Sequence, residues 1–296
     1  MAVVFHKMHG AGNDFVLLDL REQHFELDPA RARQISDRHT GIGCDQLLVL
    51  RSSDHEACAV QFEVWNADGS KARQCGNGVR CIALYLERNA PTRDASLLLD
   101  GPAGVTRVEW IEPGVFRADM GQPEWAPGAI PLSLRPDQGW YRLETAAGPV
   151  RAGAVSMGNP HAVIPVDDLC AARLNDLGPL ISRHAAFPEG CNAGFAQVLD
   201  RKTVRLRVFE RGTGETRSCG SGACAAGVAV LTQAQNAAQN VPGRVEVILD
   251  GGSLWIEWAG IDDQGVAGDV LMTGPITYVA GGEYVVDTSS GELSAG

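Results

Sequence analysis

The sequence predicts an α+β chain of two similar domains, each with a helix that follows a cysteine. Three observations carry this. First, QCGNGVRC (74–81) and SCGSGACA (218–225) both set a cysteine before a Gly-x-Gly turn. They align Arg73 with Arg217, Cys75 with Cys219, Gly76 with Gly220 and Gly78 with Gly222, at an offset of 144 residues. Second, two further matches keep the same order. GNDFVLLD from Gly12 matches GNPHAVIP from Gly158 at offset 146, and GCDQLL from Gly43 matches GCNAGF from Gly190 at offset 147. Third, strand-like runs outnumber helical ones, which favours α+β over a parallel βαβ fold. Chance recurrence of common Gly-rich turns is the competing explanation, and three ordered matches weigh against it.

Taken along the chain, strand patterns occupy 2–8, 14–20, 46–51 and 59–65 in the first half. In the second half they occupy 150–157, 161–166, 195–200 and 203–209. A helix follows each cysteine motif. Val79, Ile82, Ala83 and Leu86 recur at i, i+3, i+4, i+7, as do Ala223, Ala226, Gly227 and Val230. Each series starts four residues after its cysteine, so both helices bury the same relative face. The second helix, ACAAGVAV, is small-sided, as a helix wrapped closely by strands would be. Hairpins are expected at 96–100 with 103–108, and at 244–249 with 252–258 through Asp250-Gly251-Gly252. The Pro- and Gly-rich stretch 121–137 reads as a linker, which divides the chain into 1–120 and 121–265.

Composition sets the remaining bounds. The 296 residues fit one large domain or two ordinary ones, and 45% hydrophobic content is enough for real cores. The formal net charge is −11 with no Lys/Arg-rich stripe, so nothing points to nucleic acid as a partner. The N-terminus lacks the charged and apolar regions of a secretory signal, and no apolar run approaches a membrane span. A cytoplasmic protein with no membrane partner is expected.

Eight cysteines, in a chain expected to sit in a reducing compartment, argue for free thiols rather than disulfides. No C-x-x-C pair suggests zinc. Cys58, Cys81, Cys170 and Cys224 read as small buried hydrophobes. Cys75 and Cys219 do not, because their surroundings are glycine-rich and polar. A helix start offers free N–H groups and the positive end of the macrodipole. A cysteine there has its thiolate stabilised and its pKa lowered, and the same N–H groups suit a carboxylate. Two such thiols facing each other across an interdomain cleft could grip one carbon from both sides. One removes a proton while the other delivers one to the opposite face, which inverts a stereocentre. Further polar residues fall at repeat positions: Asn13 and Asn159, Asn66, Asn192, Glu210 and Arg211. Amides, Arg and Glu can orient ammonium and carboxylate groups. His161, beside a thiol, can tune its pKa.

The long segments HGAGNDFVLLD, HTGIGCDQLLVL, FEVWNADGSKARQCGNGVRC, SMGNPHAVI and RVFERGTGETRSCGSGACAA together resemble the diaminopimelate epimerase family over almost the whole chain. The resemblance implies interconversion of LL- and meso-2,6-diaminopimelate without pyridoxal phosphate or metal, on the route to lysine and peptidoglycan. It implies Cys75 and Cys219 as the acid/base thiols. Asn13, Gln46, Asn66, Asn159, Asn192, Glu210 and Arg211 become substrate contacts. Gly76-Asn77 and Gly220-Ser221 become backbone donors to the reacting α-carboxylate. His161 and Glu210 become modulators of the thiols.

The fold implied is two pseudo-symmetric domains, each a curved, mostly antiparallel or mixed sheet around a central helix, with about 266–296 returning to the first domain. One departure concerns the family's partner, a second copy of itself. A tyrosine tied to dimer contacts in some relatives is Ala280 here, although a homodimer is still expected. The tail from Glu283 to Gly296 is expected to fray. Rival readings are a related two-thiol amino-acid racemase, a redox protein with a regulatory Cys75–Cys219 disulfide, and a non-enzymatic ligand-binding protein. Glu210-Arg211 favours a substrate with a second amino-acid head group over a proline-type substrate.

Overall fold

The structure, a computed structural model, describes residues 2–89, 95–236, 243–262 and 264–285. The chain forms two compact units. One comprises Met1–Gly10, Asp14–Trp110 and the segment from Ile276 onward; the other comprises Ala11–Asn13 and Ile111–Pro275.

In the first unit, the apolar runs form β1 (Ala2–Gly10), β2 (Asn13–Asp19), β3 (Gln46–Arg51) and β4 (Val60–Asn66). Between β2 and β3 lies α1 (Pro29–Ser36), with Asp28 as N-cap and proline in its first turn. β5 (Lys71–Ala72) precedes α2 (Gly76–Asn89), and β6 (Ser96–Gly101) and β7 (Gly104–Glu112) form the hairpin that follows. β2 pairs β3 in parallel, β3 pairs β4 antiparallel, and β4 pairs β6 in parallel. β5 and β6 share one edge of β4, and α2 leaves the sheet between them.

The second unit contains β8 (Val115–Asp119), β9 (Tyr141–Thr145), β10 (Gly148–Ser156), β11 (Pro160–Pro165), α3 (Leu174–Ser182), β12 (Asn192–Asp200), β13 (Thr203–Glu210) and β14 (Gly214–Thr216). It continues with α4 (Gly220–Asn236), β15 (Arg244–Leu249), β16 (Gly252–Trp258) and β17 (Val270–Val285). Its pairings repeat the first unit's: β11 parallel to β12, β12 antiparallel to β13, β13 parallel to β15, and β14 beside β15 on one edge of β13. The start of β17 pairs β16 and β8, while its later part pairs β1. The sheets are therefore mixed, as the α+β reading with repeated domains expects.

α4 packs against β10, β11, β12, β13, β15 and β16, so six strands curl around one helix. This explains its small side chains. A Cβ on Gly227 would lie 2.8 Å from Ile256 Cβ, closer than a packed core allows. On the other face of the sheet, α3 packs on a cluster of Leu143, Ala154, Ile164 and Phe195. In the first unit, α1 likewise covers Val16, Leu18, Leu47 and Val49.

Several expectations change. α1, α3, β5, β8, β9, β14 and β17 are additions to the elements read from the sequence. The helices after the cysteines do not show one buried face: α2 is buried all round from Gly76 to Leu86. The stretch 121–137 is no free linker, because Ile130 and Leu132 are core residues of the second unit and Ser133 N–H bonds Ala186 O at 2.9 Å. Cys81 and Cys224 are buried as expected, but Cys58 is half-buried and Cys170 exposed. Of the tail, Glu283–Val285 continue β17 in register with β1, and 286–296 lie outside the described residues.

Candidate active site

Both motif cysteines are N-cap residues. Val79 N–H donates to Cys75 O at 3.0 Å, and Ala223 N–H donates to Cys219 O at 2.9 Å. Each thiol thus sits at the positive end of a helix, beside the N–H groups of its first turn. The second glycine of each motif lies closely packed beside its cysteine. A Cβ on Gly78 would lie 3.5 Å from Cys75 Sγ and 2.9 Å from Leu48 Cδ2, and one on Gly222 would lie 3.3 Å from Cys219 Sγ.

In the first unit, Gln46 and Asn66 are direct cross-strand partners, and Gln46 Nε2 donates to Asn66 Oδ1 at 2.8 Å. Leu48, two residues on from Gln46, touches the start of α2, so both amides lie on the α2 face of the sheet. Asn77 is buried, and its Oδ1 accepts from Arg80 Nη2. Arg80 Nε also reaches Gly76 O at 3.3 Å. Arg80 is fully buried, so the two residues after Cys75 carry a guanidinium beneath them. The sequence reading does not single out this arginine. Its signal was an arginine inside an otherwise apolar helix stripe.

In the second unit, Ala193 pairs Phe209, and Asn192 and Glu210 flank that pair at the ends of their strands, as the counterparts of Gln46 and Asn66. Cys219 is 4% exposed, and its S–H donates to Glu210 Oε2 at 3.2 Å. Thr216 Oγ1 donates to the other carboxylate oxygen and fixes its orientation. Burial, and then the Glu210 charge, push the Cys219 thiol well above the ordinary thiol range. The Ser221 hydroxyl and Gly222 N–H pull the other way. Helix-start stabilisation therefore does not win at Cys219, contrary to the sequence expectation. Desolvation and a like charge outweigh it, and the sulfur is held as a thiol.

His161 lies on β11 and is fully buried. Its Nε2 is 3.0 Å from Asn159 Oδ1 and 3.1 Å from Ser221 Oγ. With a carbonyl oxygen as acceptor, the imidazole proton sits on Nε2. Burial, and then Arg211, hold the ring neutral, with a pKa near about 3. His161 reaches the sulfur through Ser221, whose Oγ is 3.7 Å from Cys219 Sγ. Asn192 Oδ1 accepts from Arg211 N at 2.9 Å, and Arg211 Nη1 donates to Glu189 O at 2.6 Å. The Arg211 side chain lines a pocket of about 490 Å³ with Arg183, Phe187, Phe209 and Thr213.

Asn13 follows Gly12, whose φ is +80°. The structure thus groups Gln46, Asn66, Cys75, Gly76 and Asn77 in one unit. It groups Asn13, Asn159, His161, Asn192, Glu210, Arg211, Cys219, Gly220 and Ser221 in the other. The two helix starts share one chemistry, an N-cap thiol beside anion-binding N–H groups. Their surroundings differ in charge: Arg80 underlies the first motif, and Glu210 faces the second thiol.

A family model described as diaminopimelate epimerase matches residues 5–126 and 153–279. The chain is 47% identical over 281 residues to the diaminopimelate epimerase of Xanthomonas axonopodis pv. citri, covering 95% of each chain. It is 41% identical to that of Stutzerimonas stutzeri, covering 96% of this chain and 99% of the relative. Among solved structures, a hydroxyproline epimerase from Agrobacterium vitis superposes with a TM-score of 0.70 at 14% identity, over 98% and 94% of the two chains. A phenazine biosynthesis protein of the PhzF family from Bacillus anthracis gives 0.67 at 16%, over 97% and 100%. At such low identity these two likenesses speak to the fold alone.

Proposed function

The chain belongs to the diaminopimelate epimerase family of isomerases, and on that premise we propose that it interconverts LL- and meso-2,6-diaminopimelate with Cys75 and Cys219 as paired acid and base. No pyridoxal phosphate or metal takes part in this reading. The observation that carries it is the pair of N-cap thiols, of which Cys219 faces a carboxylate, Glu210, at 3.2 Å. Inversion by two groups needs one protonated and one ionised at the start. Glu210 and burial keep Cys219 a thiol, which makes it the resting acid. Cys75, beside the Arg80-bound start of α2, is the resting base. It takes the α-proton of whichever stereoisomer presents that proton to it, and Cys219 protonates the opposite face. In the reverse direction the roles exchange.

A weakly acidic α-carbon needs more than a base, since general base catalysis supplies only about 10²–10⁴-fold. The N–H groups of Gly76-Asn77 and Gly220-Ser221 receive the α-carboxylate and stabilise its developing enolate-like charge in a dry site. Asn13, Gln46, Asn66, Asn159 and Asn192 orient the substrate. Arg211 suits the carboxylate of the second head group. His161, kept neutral, orders Ser221 next to the acid thiol. The reaction serves lysine and peptidoglycan precursor synthesis in the cytoplasm, by a homodimer. Light scattering of the reduced protein tests the dimer.

The test of function is direct. Reduced, purified protein is incubated with LL-diaminopimelate and no cofactor, and the stereoisomers are separated. The meso form should accumulate to equilibrium, and Cys75→Ala or Cys219→Ala should abolish it. Folded wild-type protein that leaves LL-diaminopimelate unchanged would sink the proposal.

A further inference from the structure

The two units share one plan but start their central parallel strand pair differently. Cys44 and Cys191 are equivalent, each with its N–H bonded to the serine that ends the outer helix: Ser36 O at 3.2 Å and Ser182 O at 3.0 Å. From Cys191 the second unit goes straight to Asn192, the first residue of β12. The first unit inserts one residue, Asp45, before Gln46, the first residue of β3. This insertion is where the repeat offset slips from 147 to 146. The parallel register, Phe15 with Gln46 and His161 with Asn192, fixes the offset beyond it.

Asp45 joins a charged cluster with no counterpart at the matching positions. Asp14 N–H donates to Asp45 Oδ2 at 3.1 Å, and Asp45 N–H donates to Asp14 Oδ1 at 3.0 Å. Arg38 binds both carboxylates, with Nη2 at 2.8 Å from Asp14 Oδ1 and 2.7 Å from Asp45 Oδ1. Lys7 Nζ binds Asp14 Oδ2 and Gly43 O. By the same register, Pro160 stands for Asp14 in the second unit, and the inserted Asp45 has no counterpart there. The strand pairing itself therefore needs no ions. These paired charges lock two adjacent strand starts, at the residues that immediately follow Asn13 and precede Gln46. Asp14 alternates with Asn13 along β2, so the ions hold one face of that strand while the amide is presented on the other, and Asp45 abuts Gln46 at the start of β3.

We infer that Lys7, Asp14, Arg38 and Asp45 are positioning residues that set the substrate-facing geometry of Asn13 and Gln46. The inference rests on the proposed reading of those two amides as substrate contacts. Hydrogen bonds to charged partners hold backbone better than neutral ones, and a misplaced binding group is costly even when nothing touching substrate is lost.

The test uses steady-state kinetics of the full enzyme with diaminopimelate, per mole of folded protein. Arg38→Gln and Asp45→Asn should each raise KM about tenfold, with a smaller effect on kcat. Arg38→Lys should recover part of the loss. The Arg38 side chain is 53% exposed, so its variants keep the core intact. A merely structural cluster would lower thermal stability and leave KM at the wild-type value. Asn13→Ala and Gln46→Ala serve as references. If they raise KM while the Arg38 and Asp45 variants do not, the positioning role is overturned. If the references leave KM unchanged, the substrate-contact reading fails and takes the inference with it.

Discussion

Glu210→Gln is the sharpest single probe of the charge difference between the two helix starts. The substitution keeps the side-chain shape and an acceptor for Thr216, and removes one negative charge. That charge lies 3.2 Å from the Cys219 sulfur. At an effective dielectric of ~20, a thiolate there is repelled by about 5 kcal/mol. Even a third of this exceeds the ~1.4 kcal/mol that makes a tenfold change in an equilibrium. The assay is the rate of iodoacetamide alkylation at pH 7 in a Cys75→Ser background, with no substrate present. Burial of the sulfur is common to both proteins, so the ratio of rates reports thiolate content. Cys219 should react at least about tenfold faster in the Gln variant. Equal or slower alkylation in folded protein would refute the claim that Glu210 keeps Cys219 protonated.

Two other outcomes follow from the second unit. His161 is held neutral down to about 3, whereas the unfolded chain takes up its proton near 6.5. Its contribution to stability is therefore complete above pH 6.5 and declines as pH falls through that window, at up to ~1.4 kcal/mol per pH unit. Denaturant titrations should show a shallower acid loss in His161→Gln, and identical pH slopes would contradict this. Gly251 N–H donates to Arg217 O at 2.9 Å, two residues before Cys219, and a Cβ on Gly251 would lie 1.8 Å from Ala11 O, two residues before Asn13. Gly251→Ala must displace backbone on both sides and should lower kcat/KM about 100-fold. Wild-type kinetics from a folded variant would show that this contact is dispensable.

Much of this was legible in the sequence because the chain states its plan twice. The strand runs around Phe15, Leu48 and Val64 have counterparts around Val163, Gly194 and Val208. The two cysteine motifs fix the helices between them. The hairpin through Gly251 was readable from its Asp-Gly-Gly turn, although the need for Gly251 lies in its approach to Ala11, which no local pattern encodes. Other features depend on tertiary surroundings. α1 and α3 are short, and α3 contains Pro179, so their periodicity is weak. Ile130 and Leu132 sit in a Pro/Gly-rich stretch whose composition suggests a linker until its apolar residues find a core. Which of the two thiols stays protonated was not legible for the same reason. The helix start is visible in sequence, but the carboxylate of Glu210, nine residues earlier, comes into contact only through the β13–β14 turn.

The central claim is that two different groups handle the proton on one carbon. Initial-rate epimerisation of LL-diaminopimelate in deuterium oxide tests it most directly. Two-thiol inversion predicts that every early product molecule carries one α-deuterium, while recovered LL substrate stays fully protiated. Protium retained in the product, or deuterium washing into unreacted substrate as fast as product forms, would mean that one group both takes and returns the proton. That result would contradict the account.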